Sequence, residues 1–254
     1  MTVKEDTASK KKKSKQKLIN TENAASVPFS VVEAYKHIRV QLINILEKFG
    51  GKIIAISSPN ASEGKSTTAI NIAITMSQLE KKVIIVDADN RRGTVHKKMK
   101  LENDIGCTDI LSGKTTVKEA VKHYNENLNV ITCGEYSSSS SEMFDSSAFE
   151  RLLKELSEAY DYVILDTPPI NLVSDALVIA KKCDGLIYII RSEVTTYEAF
   201  KKAVNSTEKL GVNLLGVILN AVDAYSGKYY KIGYGYYNKY GYYGNYGYYG
   251  KGNN

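Results

Sequence analysis

Between residues 29 and 224 short aliphatic runs alternate with longer stretches whose apolar residues recur three and four apart. The aliphatic runs are Lys52–Ser57, Lys82–Asp87, Leu128–Thr132, Tyr162–Asp166, Gly185–Arg191 and Leu214–Asn220. Several are almost purely Ile, Val and Leu. Strands buried on both faces read this way, and a parallel sheet flanked by helices produces them. Helical spacing predicts helices over Val31–Lys48, Thr67–Leu79, Val117–His123, Ser147–Ala159, Ser174–Lys181 and Thr196–Leu210. In the first, Val31, Tyr35, Ile38, Leu42, Ile45 and Leu46 fall near one face, and Ser30 is placed to cap it. Glu33, Lys36 and Arg39 stand three apart on a neighbouring stripe, which by pattern alone is an exposed face with i,i+3 pairs. The alternation predicts an α/β fold, a doubly wound and mainly parallel sheet that binds its ligand at the carboxyl ends of the strands.

The two ends of the chain break this pattern. Residues 1–28 are polar and lysine-rich, and composition predicts a disordered basic tail, either solvated or touching an anionic membrane surface. Residues 225–254 hold 12 of the 19 tyrosines and 8 of the 18 glycines, with no aliphatic residue after Ile232. Such a segment cannot build a core and is predicted to be disordered. Ser137–Ser141, five serines in a row, reads as a surface loop. The expected organisation is a basic tail over 1–28, one domain over 29–224 and a Tyr/Gly-rich tail over 225–254.

Charge follows the same division. The net charge is +6, but Lys10–Lys13, Lys15 and Lys17 carry +6 and the last 30 residues carry +4, which leaves −4 for the rest. A mildly acidic domain argues against a broad nucleic-acid face, so no nucleic-acid partner is expected. No apolar run approaches the ~20 residues needed to span a bilayer, and no signal peptide is visible. The expected location is the cytoplasm. Cys107, Cys133 and Cys183 lack CxxC spacing, which favours small buried residues over a metal or disulfide role.

Ser57–Thr67 is the stretch around which these elements are arranged. It follows Ile53-Ile54-Ala55-Ile56 and leads into a helix, and it contains Gly64-Lys65-Ser66-Thr67. Strand, loop, Gly-Lys-Ser and helix is the plan of a phosphate cradle, because a helix N-terminus offers unpaired N–H groups and partial positive charge to an anion. Lys65 is expected at the helix start, outside the core, reaching terminal phosphates, with the Ser66 hydroxyl on Mg²⁺. Pro59 stands where such loops usually have a glycine, so Asn60, Ala61 and Ser62 must make the tight turns. Two strands end in acids, Val86-Asp87-Ala88-Asp89 and Leu165-Asp166. In a parallel sheet both ends open on the edge that holds the loop, where hard oxygens suit a nucleotide-bound Mg²⁺. Asp87 and Asp89 would share a face if the strand continued.

Taken together, Pro59–Thr67, Val83–Arg92, Val163–Pro169 and the tyrosine-rich C-terminus resemble the bacterial tyrosine kinases of capsule and exopolysaccharide synthesis. The likeness runs over roughly residues 30–250 and is strongest to the type in which the kinase is a separate cytoplasmic protein. It implies a P-loop fold with ATP and Mg²⁺ as cofactors. Glu63, Gly64, Lys65, Ser66 and Thr67 would hold the nucleotide phosphates, and Asn220 would lie at the adenine. Ser66, Asp87 and Asp166 would serve the metal, and Lys65, Asp87 and Asp89 the transfer, with Arg91 or Arg92 near the moving charge. The acceptors would be tyrosines of the tail: Tyr234, Tyr236, Tyr237, Tyr240, Tyr242, Tyr243, Tyr246, Tyr248 and Tyr249. Glu33, Lys36 and Arg39 match a ring-forming Glu-xx-Arg-xx-Arg motif, with Lys36 in the middle place. Gly93 stands where the family tends to proline. The implied partners are a membrane chain-length regulator, which activates through its cytoplasmic segment and recruits the kinase to the inner face of the membrane, a cognate tyrosine phosphatase, and further copies of the chain in a ring.

A positioning ATPase of the same superfamily is the main alternative. Those ATPases carry an extra lysine early in the loop, where this chain has Asn60. A non-catalytic binder with a degenerate nucleotide site is a third reading. Tyr/Gly repeats also occur as sticky low-complexity sequence, or stack on single-stranded nucleic acid. ATP-dependent labelling of tyrosine separates these classes.

Overall fold

The computed structural model describes residues 18–19, 27–135 and 140–222. Both tails expected from composition, and every tail tyrosine, lie outside the described residues.

Seven strands form one sheet in the order β3-β4-β2-β5-β1-β6-β7. They are β1 (Ile53–Ser57), β2 (Val83–Asp87), β3 (Lys122–Asn125), β4 (Leu128–Ile131), β5 (Tyr162–Asp166), β6 (Gly185–Arg191) and β7 (Leu214–Asn220). Every pairing is parallel except β3 with β4. The aliphatic runs work as the pattern requires, with alternate residues feeding opposite faces. Ile54 and Ile56 join the core on one side and Ala55 that on the other; Val83 and Ile85 go one way, Ile84 and Val86 the other.

One face is covered by α2 (Lys65–Ser77), overlaid by α1 (Phe29–Phe49), and by α3 (Val95–Met99). Every residue of α2 from Ser66 to Ser77 is buried. Small Ala, Ser and Thr residues let it lie between the sheet and α1, whose Tyr35, Leu42 and Leu46 close the layer. The other face carries α4 (Cys107–Leu111), α6 (Ser140–Asp145), α7 (Ser147–Ala159), α8 (Asp175–Lys181) and α9 (Tyr197–Lys209). In α7 the Ser146 hydroxyl accepts from Phe149 N, and Phe149, Leu152, Leu153 and Leu156 form its buried stripe. In α9 Thr196 caps Ala199 N.

Four local expectations change. Ser30 is not the cap of α1: the helix starts at Phe29, and the Pro28 carbonyl, not a side chain, accepts Val31 N at 2.9 Å and Val32 N at 3.3 Å. α2 begins at Lys65, two residues before the expected Thr67, because Gly64 in the left-handed region (φ 100°) turns the chain directly into the helix. The stretch Val117–His123 is not one helix. Thr116 and Glu119 form a capping box that sustains a single turn, α5 (Val117–Ala120), after which β4 draws the chain into antiparallel β3. Of the serine run, residues 137–139 lie outside the description, while Ser140 opens α6 rather than continuing a loop.

Candidate active site

The carboxyl edge of the sheet collects Ser57, Asp87 and Asp166 around the loop before α2. Strand register sets Asp87 directly beside Asp166 on the neighbouring strand, and Asp166 beside Ile56 of β1. The condition for Asp87 and Asp89 to share a face, a strand that continues past Asp87, is not met. The strand stops at Asp87, Ala88 N donates to the Asp166 carbonyl, and Asp89 N turns back to Asp87 Oδ1 at 3.2 Å. That turn aims the two carboxylates differently. Asp87 Oδ2 accepts Val95 N at 3.0 Å, while Asp89 faces the Lys65 ammonium at 3.0 Å.

Lys65 is the hub. Its Nζ also lies 3.5 Å from Asp166 Oδ1 and donates to Ser66 Oγ at 3.3 Å. The lysine stands at the first position of α2, outside the hydrophobic core as expected, with its side chain only 11% exposed among the carboxylates. Burial works against its charge, but Asp166 and Asp89 outweigh burial and raise its pKa. The carboxylates answer in kind. Burial, reinforced by the charge of Asp166, pushes Asp87 up to about 8. Burial also raises Asp166, against the pull of Lys65 and Ser66. Both oxygens of Asp166 are buried without a hydrogen-bond partner among the described residues. A fully buried carboxylate with open lone pairs beside a serine hydroxyl fits a hard divalent cation such as Mg²⁺.

The phosphate loop compensates for its scarcity of glycine in two ways. Ser62 takes the left-handed conformation (φ 64°), one of the tight turns the sequence required. Glu63, 1% exposed, then ties the loop together: its carboxylate accepts from Asn60 N (2.9 Å), Asn60 Nδ2 (3.3 Å) and Thr195 Oγ1 (2.6 Å). Its side chain is therefore spent on bonds inside the protein. Asn220 Nδ2 donates to the Glu63 carbonyl at 2.8 Å, and Arg191 to the Ser62 carbonyl at 3.1 Å, so the end of β7 is held against the loop. Gly64, Ser66 and Thr67 occupy the first turn, whose N–H groups a helix cannot pair internally.

Gly93 has a local cause. A Cβ there would stand 2.3 Å from Cys133 Sγ and 2.9 Å from Asp87 Oδ2, so only glycine lets the chain pass. Arg91 Nε is bonded to the buried Asp175 at 3.2 Å, and Asp175 also takes Ser141 Oγ. Arg92 uses its backbone N–H on Asp89.

Thus Lys65, Ser66, Asp87, Asp89 and Asp166 converge, with Glu63 and Asn220 bracing the loop. Glu33, Lys36 and Arg39 lie apart, on α1. Lys36 pairs with Glu33 at 2.8 Å, and Arg39 reaches the Thr75 carbonyl of α2 at 2.8 Å. Thr195, Arg191 and Asp175 were not singled out from sequence. Their neighbours in space come from distant segments, and only the position of Arg191 at a strand end hinted at the site.

Comparison with known proteins bears on what this edge does. The profile of a family described as an AAA domain matches residues 51–213. The tyrosine-protein kinase YwqD of Bacillus subtilis is 38% identical over 189 residues, which cover 74% of this chain and 80% of that protein. The tyrosine-protein kinase ptk of Acinetobacter johnsonii is 32% identical over 86% of this chain, a match that spans only 30% of its own length. Among solved structures, the kinase domain of the Escherichia coli tyrosine kinase ETK superposes with a TM-score of 0.77 at 28% identity, covering 84% of this chain and 83% of that one.

Proposed function

The chain belongs to the bacterial tyrosine-protein kinases, and we propose on that premise that it transfers the γ-phosphate of ATP to tyrosines of its own C-terminal segment, between copies of the chain. The observation that carries this reading is the cluster at the sheet edge: one buried ammonium, Lys65, held between Asp89 and Asp166, with Asp87 beside Asp166. Phosphoryl transfer demands position and neutralised charge more than covalent chemistry.

ATP would lie with its phosphates along the first turn of α2. Lys65 leaves Asp89 and takes the terminal phosphates, which neutralises charge as the bond to the leaving oxygen breaks. Asp166 and Ser66 would hold Mg²⁺, with Asp87 near enough to share it; the ion supplies charge neutralisation at the phosphate oxygens. Asp87 orients the tyrosine hydroxyl and accepts its proton, since a group of pKa ~10 must lose that proton as the new bond forms. Asp89, released by Lys65, steadies the turn through Arg92 N. Asn220 would meet the base. Acceptors are Tyr234, Tyr236, Tyr237, Tyr240, Tyr242, Tyr243, Tyr246, Tyr248 and Tyr249.

In the cell this chemistry serves capsular or extracellular polysaccharide synthesis and its chain length. A membrane chain-length regulator activates the kinase through a cytoplasmic segment and recruits it to the membrane. A tyrosine phosphatase resets it, and Glu33, Lys36 and Arg39 contribute to a ring. Among the described residues no helix is long and apolar enough to cross a membrane.

The test mixes a Lys65→Met chain that keeps its tail with an active chain lacking residues 225–254, and supplies labelled ATP and Mg²⁺. Label on tyrosines of the inactive chain supports transfer between subunits. ATP hydrolysis without phosphotyrosine in either chain, or in the wild type with the activating segment added, refutes the kinase reading.

A further inference from the structure

Behind the phosphate site the fold gathers a second set of donor atoms, of a different chemical kind. Asp87 ends β2, His96 lies in α3 and Cys133 follows β4, and each places one donor atom within 4.8 Å of the other two. The Nδ1 of His96 is buried without a hydrogen-bond partner among the described residues. The Cys133 thiol donates to Asn103 Oδ1 at 3.4 Å or to the Gly134 carbonyl at 3.6 Å, contacts that leave the sulfur lone pairs free. Asp87 accepts one backbone N–H on each oxygen, which leaves a lone pair on each. Gly93 keeps the space clear, because a side chain there would enter between Cys133 Sγ and Asp87 Oδ2. Asp87 and Cys133 are buried and His96 is partly exposed.

We propose that Asp87, His96 and Cys133 form a site for a borderline-soft divalent cation, Zn²⁺ in type, whose binding takes Asp87 away from phosphoryl transfer. The binding half stands on the geometry alone; the regulatory half rests on the kinase reading. Thiolate, imidazole and carboxylate together suit Zn²⁺ or Co²⁺. Mg²⁺ prefers oxygen ligands in near-octahedral array, so it belongs with Ser66 and Asp166 and does not compete well here. Metal–ligand bonds of about 2.0–2.3 Å would draw the three donors somewhat closer together, and water fills the fourth position. On binding, the Cys133 S–H bond breaks, as does the Asp87 O–H bond in molecules that carry that proton; the protons pass to solvent, the sulfur and carboxylate electron pairs form the bonds to the metal, and no oxidation state changes. An Asp87 carboxylate bound in this way is held toward Cys133 and His96 and made less basic by the cation's charge, so it takes a tyrosine proton less readily. Cysteine spacing gave no hint of this site, because its three ligands come from separate elements.

The experiment uses the full chain, stripped of trace metals and held in excess Mg²⁺, titrated with Co²⁺ as the probe. One equivalent should produce a thiolate-to-cobalt charge-transfer band, and Zn²⁺ should abolish it. Cys133→Ser should lose the band, His96→Ala should weaken Co²⁺ binding at least tenfold, and Cys107→Ser should keep it. Absence of the band in the wild type, or its survival in Cys133→Ser, overturns the site. If Cys133→Ser does not fold, the partly exposed His96 decides: unchanged affinity in His96→Ala overturns the proposal equally. A second arm follows tyrosine labelling from ATP. Zn²⁺ should slow the wild type at concentrations that leave Cys133→Ser unaffected, whereas equal inhibition of both overturns the regulatory half. A wild type that shows the band but no labelling under any condition counts against the kinase reading and leaves the metal site standing.

Discussion

Replacing Lys65 by Met should cost stability as well as activity. The lysine carries the positive charge that sits 3.0 Å from Asp89 and 3.5 Å from Asp166, with Asp87 beside Asp166 on the next strand. Met keeps the bulk of the side chain but leaves those carboxylates without a cation in a buried setting. Removing one partner of a buried ion pair costs about 3–5 kcal/mol. For a domain of this size, about 2–4 °C of melting temperature follows each kcal/mol, so the ligand-free variant should melt roughly 6–20 °C lower near neutral pH. The loss has a pH signature. Burial raises the pKa of both Asp87 and Asp166, so as pH falls they take up protons sooner than ordinary carboxylates and need Lys65 less. The destabilisation should therefore be largest at pH 9 and shrink towards pH 5, and a Lys65→Met/Asp89→Asn double variant should recover part of it. Thermal unfolding by circular dichroism across that range, on ligand-free protein, reads both effects. A variant that melts with the wild type at every pH would refute the reasoning, since the ammonium could not then lie among the carboxylates. Tyrosine labelling, assayed below the variant's own melting point, should be absent.

Three further outcomes follow from the same edge. Asp87 has a pKa raised from 3.8 to about 8, so the folded state holds a proton that the unfolded chain releases between those values; the stability this contributes is full below about pH 4 and lost as pH rises to about 8. Asp87→Asn should flatten that slope in pH-dependent melting, and in the wild type kcat/KM for tyrosine phosphorylation should climb as pH approaches 8, where the base becomes free; a rate independent of pH from 6 to 9 would exclude Asp87 as proton acceptor. Glu63→Gln puts an amide N–H against the donors Asn60 and Thr195, and should cost about 1–3 kcal/mol and raise KM for ATP while changing kcat less; unaltered ATP binding by calorimetry would show that the loop needs no such brace. Glu33→Ala/Lys36→Ala should weaken self-association in sedimentation with stability changed little, by about 0.5 kcal/mol, because that pair is half-exposed and bonds only within α1, whereas Arg39→Ala should destabilise more, because Arg39 bonds to Thr75 O of α2 in its own chain.

Much of this protein is legible along its chain. Unbroken aliphatic runs can be satisfied only by burial on both faces, so the central parallel strands and the helices that cover them follow from the pattern of side chains, and β5, β6 and β7 end where that pattern ends. The Gly64-Lys65-Ser66 loop and the acids closing β2 and β5 are local motifs, and parallel pairing brings them to one edge wherever the strands sit. What depends on distant partners is not written locally. The antiparallel β3 exists because β4 offers it an edge, against the helical spacing of its own residues. The place of Lys65 at the helix start was legible, but not that Asp87 at the end of β2, Asp89 in the turn after it and Asp166 of β5 close around its ammonium. Glu63 could be read only as a loop residue until Thr195, from beyond β6, arrived to bond it. Cysteine spacing spoke against a metal, yet Cys133 meets His96 and Asp87 in space, because tertiary packing sets the distances between donor atoms and sequence separation does not.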